Sequence, residues 1–477
     1  MQVVRVRRGA SSSLAAALAA GGGARRRLVG SAARQRPRVY VSSTVAAAAF
    51  AGVATASAVA CSPDEEHGDA AAVTAERIAA MLELSGIAVS DEELAAFVKS
   101  AKGNLRNYQA MREIDIPNDV SPPYHFSALM PGMAVDRVAR PLVFSRPKQP
   151  IERPADLEAL AFWPVKDIAE LLRSRQITAV ELTQMYLGRL HRYNPVLNCA
   201  VTILDDYALA EAQKADADIA AGNYKGMLHG IPWGAKDIIS LKGYETTWGS
   251  NAFKDQVLDQ DASVVEMLSA AGAICVAKLA TGELAGGDKY FNNSIQCMNP
   301  WDTTMGSMGS SAGPASATAA GCVGFALGTE TGGSILGPAG RCGTVALRPT
   351  FGRVSRHGVM ALSWSQDRVG PFGRHAEDVA CVMSAISGPD DQDMSVSELP
   401  FNWDTRAQGT DLKHLRVGII PATVDEIEDP VAMENTLKAL ELLKVILGVD
   451  GFVEVEVPDI DLMPNSMGVE SVAFFDK

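Results

Sequence analysis

Val323-Gly324-Phe325-Ala326-Leu327-Gly328-Thr329-Glu330-Thr331-Gly332-Gly333-Ser334 is the stretch from which the rest of this chain can be read. Its first part, Val323 to Leu327, is a short apolar run that predicts a buried strand. Its second part breaks into small and hydroxylated residues. Just upstream, Pro314 to Ala320 is a run of tiny side chains that predicts a closely packed helix, with Gly321 separating helix from strand. The same order occurs earlier. Asp261 reads as an N-cap, Val264, Val265 and Leu268 share one face, Gly272 ends the helix, and Ala273-Ile274-Cys275-Val276-Ala277 reads as a strand.

Farther along the chain in both directions the pattern repeats. Ile168, Leu171 and Leu172, then Val180, Leu182, Met185, Tyr186 and Leu190, recur at helical spacing and predict two amphipathic helices. Strands are predicted again over 415–420 and 452–457. Alternating helices and short apolar strands point to an α/β fold, a mixed or parallel β-sheet covered by helices on both faces. Ahead of it, helices over 75–84 and 92–101 and a passage through Pro117, Pro122, Pro123, Pro131 and Pro141 read as a helical lead-in and linker spanning 64–155. The main domain is placed at 156–477.

The first 63 residues are of another kind. No acidic residue precedes Asp64, and nine arginines sit among Ala, Ser and Gly, which is transit-peptide chemistry. An uncharged, Ala-rich stretch from Val39 to Ala60 follows and closes on Ala58-Val59-Ala60. A cleavable leader to a plastid or mitochondrion, or for export, is the expectation. No stable membrane span is expected, because Ala, Ser and Thr are weakly apolar.

The chain of 477 residues carries a formal net charge of −13, which argues against a nucleic-acid partner. Its seven cysteines are widely spaced, unlike zinc sites or a disulfide framework, and read as buried thiols.

The chemistry concentrates between Asn299 and Arg353. Glycines allow consecutive N–H groups to converge on one point, as an oxyanion hole requires, and Ser334 follows two of them. That makes Ser334 a candidate nucleophile. It needs a base. His357 and His375 are the nearest histidines, and both lie in Arg-rich, loop-like surroundings. Lys236 suits the role better: Gly230-Ile231-Pro232-Trp233-Gly234-Ala235-Lys236-Asp237 puts one charge after an apolar run, and burial lowers a lysine pKa. A structural pairing of Lys236 with Asp237 explains the same residues equally well. Trp233, Trp248, Trp301 and Trp364 are expected in the core rather than lining a substrate pocket.

Gly309-Ser310-Ser311-Ala312-Gly313, with Ser334 24 residues after Ser310 and Lys236 upstream, resembles the amidase signature family. The resemblance spans about Leu157 to Pro389 and includes Cys342-Gly343-Thr344 and Leu347-Arg348-Pro349-Thr350-Phe351-Gly352-Arg353-Val354-Ser355. It implies a Ser-cis-Ser-Lys triad: Lys236 as base, Ser310 as bridging serine on a cis peptide, Ser334 as nucleophile. The N–H groups of Thr331, Gly332, Gly333 and Ser334 would hold the oxyanion. It also implies hydrolysis of a small-molecule amide without metal or organic cofactor, with a homodimer as one assembly. Leu336 stands where many members have Arg, and Ala312 where Gly is common, so a less polar acyl pocket is expected. Relatives generally continue past the position of Lys477, which suggests a truncated carboxyl end.

Three rivals follow from the same residues. The pattern Gly309-Ser310-Ser311-Ala312-Gly313 also fits G-x-S-x-G, which would make Ser311 the nucleophile of an α/β-hydrolase. An A-type component of a tRNA-dependent amidotransferase would keep the triad and pass ammonia to a partner. An inactive relative would keep the sequence alone.

Overall fold

The computed structural model describes residues 73–112, 132–147, 149–405, 417–425, 427–448 and 452–455. The leader expected over 1–63 lies outside them, as do Cys61 and the first four prolines of the linker.

The lead-in contains α1, Ala75–Leu84, and α2, Asp91–Arg112. The Thr74 side chain caps α1 by accepting from the Arg77 N–H. Ser90 starts α2: its own N–H reaches Glu93 Oε2 at 2.7 Å, and three acidic residues fill the first turn. Expected to stop at Ala101, α2 runs on to Arg112, since no proline interrupts it before Pro117.

The centre of the fold is a six-stranded sheet: β1 Ala200–Ile203, β2 Pro232–Lys236, β3 Ile274–Leu279, β4 Phe325–Glu330, β5 Val345–Ala346 and β6 Arg368–Gly373. Their spatial order is β1-β3-β2-β4-β6-β5. The three central strands are mutually parallel, and the flanking pairs are antiparallel, so the sheet is mixed. β2, β3 and β4 are buried at every position, as strands covered on both faces must be. The covering helices are α3 Val165–Arg173, α4 Ala179–Leu197, α5 Asp205–Ala220, α6 Ser263–Ala270, α7 Ala312–Ala319, α8 Leu336–Cys342 and α9 Ala376–Ile386.

Local expectations shift where tertiary partners intervene. Asp261 does not cap α6. Its Oδ1 accepts the Lys242 N–H at 2.7 Å, and Ala262 occupies the N-cap position. Gly272 does end that helix, in a left-handed conformation (φ +81°). The strand read at Val323 to Leu327 begins two residues later and continues through Glu330, because β6 pairs with it as far as Arg368 opposite Glu330. The tiny side chains of α7 do what they predict: a Cβ on Gly313 would collide with backbone atoms of Ala280 and Cys199. Of the strands expected over 415–420 and 452–457, the described residues hold β7 Gly418–Ile419 and β8 Val453–Glu454, which pair in a separate parallel ladder.

The six described cysteines are free and buried. Of the tryptophans, Trp233 is in the core and stacks on Phe325, whereas Trp301 and Trp364 are exposed to 74% and 43%. The core assignment fails for those two because each sits in a loop or turn outside the sheet. Among the described residues no helix is long and apolar enough to cross a membrane.

Candidate active site

Lys236 is the final residue of β2, and Thr329 lies one residue before the end of the adjacent parallel strand β4. Both therefore face the carboxyl edge of the central strands, where ligand clefts open in α/β sheets. The Lys236 side chain is fully buried. Its Nζ donates to Ser310 Oγ at 2.8 Å, to Thr329 Oγ1 at 2.8 Å and to Ser311 Oγ at 3.1 Å. Burial penalises its charged form and pushes its pKa down to about 7, against the weaker opposing fields of Asp367 and Glu330.

The pairing of Lys236 with Asp237 does not occur. Asp237 Oδ1 takes Lys278 Nζ at 2.8 Å, and Oδ2 accepts from the Thr247 N–H and hydroxyl. Adjacent residues on a strand point to opposite faces, so Asp237 cannot follow Lys236 into the hydroxyl cluster.

Ser310 is buried, and the Gly309–Ser310 peptide bond is cis. Ser311 is also buried: its Oγ donates to Thr329 O at 3.0 Å and accepts the Thr329 N–H at 3.1 Å. A hydroxyl locked this way is closed to an incoming carbonyl, which argues against Ser311 as an α/β-hydrolase nucleophile. Its role is to hold β4 against the start of α7.

Ser334 is half-buried, just ahead of α8. Its carbonyl accepts the Ser311 N–H at 3.2 Å. Among the described residues its Oγ has no hydrogen-bond partner. The structure thus clusters the side chains of Lys236, Ser310, Ser311 and Thr329, and ties Ser334 to that cluster through the main chain alone.

The loop before Ser334 is organised by carboxylates. Buried Glu330 accepts the N–H groups of Ile335 and Leu336, each at 2.8 Å, on Oε2, while its Oε1 pairs with Arg348 Nε at 2.6 Å. Asp367 accepts the Thr331 hydroxyl on Oδ1 and the Leu362 and Ser363 N–H groups on Oδ2; burial raises its pKa. Gly333 takes a positive φ of +106°. The N–H groups of Gly332, Gly333 and Ser334 donate to no described protein acceptor. Leu336, expected to make the acyl pocket less polar, is half exposed at the start of α8. Ala312 begins α7 and is fully buried.

A pocket of about 490 Å³ opens beside this cluster, lined by Thr329 and Thr331 and by Arg356, Trp364, Asp367 and Arg368 among others. His357 also lines it, whereas His375 is taken up as the N-cap of α9, bonded to Asp378.

Sequence reading missed Thr329, Glu330 and Lys278. Thr329 and Thr331 sit at strand period 2 in the segment quoted first, so one face was legible. A lone lysine in the buried strand Ile274–Leu279 required a carboxylate partner. Nothing local marked which residues Glu330 would hold.

The Amidase family profile matches residues 181–475, more than half of the chain. The chain is 38% identical over 281 residues to a glutamyl-tRNA(Gln) amidotransferase subunit from Cyanothece sp., an alignment covering 59% of this chain and 58% of that protein. It is similar in structure to a peptide amidase from Stenotrophomonas maltophilia, with a TM-score of 0.58, 30% identity, and coverage of 66% of this chain and 67% of that one. An amidase family protein from Bacillus anthracis gives a TM-score of 0.58 at 26% identity, covering 67% and 66% of the two chains. The chain spans between 51% and 62% of the length of such curated relatives. On the matched region and the fold together, the chain belongs to the amidase signature family.

Proposed function

We propose that this protein hydrolyses a carboxamide C–N bond through an acyl-enzyme on Ser334. The observation that carries this is a buried lysine, Lys236, solvated by three hydroxyls and, among the described residues, by no carboxylate, with a pKa of about 7. A neutral amine at physiological pH is a base rather than a counter-ion.

In this reading Ser310 Oγ passes its proton to Lys236 Nζ while taking the proton of Ser334 Oγ. The Ser334 oxygen then attacks the amide carbon. The C–N bond breaks as the proton returns through Ser310 to the leaving nitrogen, which departs as ammonia or an amine. Water, deprotonated by the same route, hydrolyses the ester. The contact between Ser310 Oγ and Ser334 Oγ closes when the half-buried Ser334 side chain turns inward with substrate bound, since such contacts are commonly long in empty sites. The unused N–H groups of Gly332, Gly333 and Ser334, with that of Thr331, receive the carbonyl oxygen as it becomes an anion. Glu330 supports this arrangement by occupying the next two N–H groups and fixing the turn.

A fluorophosphonate probe tests the assignment. Labelling should map to the peptide carrying Ser334, disappear in Ser334→Ala and fall sharply in Lys236→Met. Stoichiometric labelling elsewhere, or full turnover by Ser334→Ala, rules the reading out.

The identity to an amidotransferase subunit supports a second reading, in which the released ammonia passes to a partner. Amide hydrolysis by the isolated chain at an ordinary rate would decide against it.

A further inference from the structure

The pocket beside Thr329 and Thr331 is lined by four charged side chains whose partners differ. Arg356 is spent: its Nε and Nη2 reach the Asp393 carboxylate at 2.9 and 3.3 Å, and Nη2 also donates to Ser395 Oγ at 3.1 Å. Asp393 is neutralised by that pairing. Asp367 is held by the Thr331 hydroxyl and two backbone N–H groups. Arg368 differs from all three. Among the described residues its Nη1 donates only to the carbonyl of Gln366, its buried Nε has no hydrogen-bond partner, and no carboxylate lies within ion-pair distance.

Arg368 is also well placed. It begins β6 directly opposite Glu330 in the antiparallel ladder, and the chain leaving Glu330 leads in four residues to Ser334. Its guanidinium lies over the Phe351 ring at 5.9 Å, a ring that Arg356 shares at 4.8 Å, so it is braced against the wall rather than extended into solvent. Glu330 and Asp367 are close enough to favour its charge, but both spend their oxygens on other donors. Burial disfavours that charge, which a ligand anion would relieve.

We infer that Arg368 is a specificity-determining residue whose guanidinium binds a carboxylate on the substrate, so that the preferred substrates are anionic amides. This rests on the amidase reading above. A guanidinium can bind a carboxylate with two parallel hydrogen bonds, and the terminal Nη1 and Nη2 groups of Arg368 can form that fork.

The test uses the full chain carrying Ser334→Ala, so that binding is read without turnover. Half-amides of straight-chain dicarboxylic acids of several lengths are compared by calorimetry with branched neutral amides of the same shape. At one length the half-amide should bind about tenfold to a hundredfold more tightly, as charge-assisted hydrogen bonds allow. Adding Arg368→Gln should remove that difference, and Arg368→Lys should restore only part of it. Equal affinity at every length, or a preference that survives Arg368→Gln, overturns the inference. The amidase reading fails separately, through absent labelling or turnover, and leaves the affinity comparison intact.

Discussion

Lys278, and not the adjacent Lys236, neutralises Asp237: the two side chains meet at 2.8 Å, both fully buried. Among the described residues this leaves Lys236 without a carboxylate in contact and surrounded by hydroxyls. The two lysines lie on adjacent parallel strands, β2 and β3, with opposite fates: one is a charged strut, the other a group poised near neutrality.

Breaking the strut should therefore damage folding more than chemistry alone would suggest. Lys278→Met leaves a buried carboxylate without a cation and is expected to cost about 3–5 kcal/mol. Urea unfolding at neutral pH checks this; a loss below about 1 kcal/mol would contradict the burial of the pair.

Removing the base should do the reverse. Lys236→Met is expected to lower turnover by about 10²–10⁴-fold, with the fold retained by near-ultraviolet circular dichroism. Turnover within a few-fold of the parent would contradict the role assigned to Lys236.

The pH dependence has a defined sign. In the proposed mechanism Lys236 acts as the neutral amine, and its pKa is about 7, so kcat/KM should fall about tenfold per unit as pH drops below that value. Stability is linked to the same group. Between about 7 and its ordinary 10.5 the unfolded chain holds a proton that the folded chain lacks, so this lysine makes unfolding free energy rise with pH across that window. Comparing the parent with Lys236→Met at pH 7 and 9.5 isolates the effect, because other titrating groups cancel. Parallel stability curves for the two proteins would refute the shift.

The ion pair under the loop makes a fourth prediction. Arg348→Met leaves Glu330, which is 3% exposed, without its cation. The N–H groups of Ile335 and Leu336 keep their acceptor, so folding should survive with a loss of about 1–3 kcal/mol. Turnover is expected to drop at the same time as the loop loosens. A variant equal to the parent in both measurements would show that Glu330 needs no cation there.

Close packing of α7 makes the fifth. Gly313→Val places side-chain atoms against backbone of Ala280 and Cys199, which cannot rotate away as a side chain can. The expected cost is at least the 1–3 kcal/mol typical of overpacking. A melting temperature within a degree of the parent would show that the helix shifts freely.

The amino-acid sequence by itself was enough for the α/β grammar, the small-residue helix, the glycine turn before Ser334, and the candidacy of Lys236 and Ser310. All but Ser310 depend on local properties, namely apolar periodicity, backbone freedom at glycine and the identity of side chains along the chain; the candidacy of Ser310 came from the resemblance to the amidase signature family. It misplaced Asp261 as a cap and Trp301 and Trp364 as core, because a distant N–H claimed one and loop placement exposed the others. The folded arrangement was needed to show that Asp237 belongs to Lys278, that Ser311 and Thr329 complete the surroundings of Lys236, and that Glu330 and Arg348 brace the loop. Those pairings join residues 18 to 93 positions apart, brought together by strand order and register. No local pattern encodes which buried charge meets which partner, since that is settled by the geometry of the whole sheet.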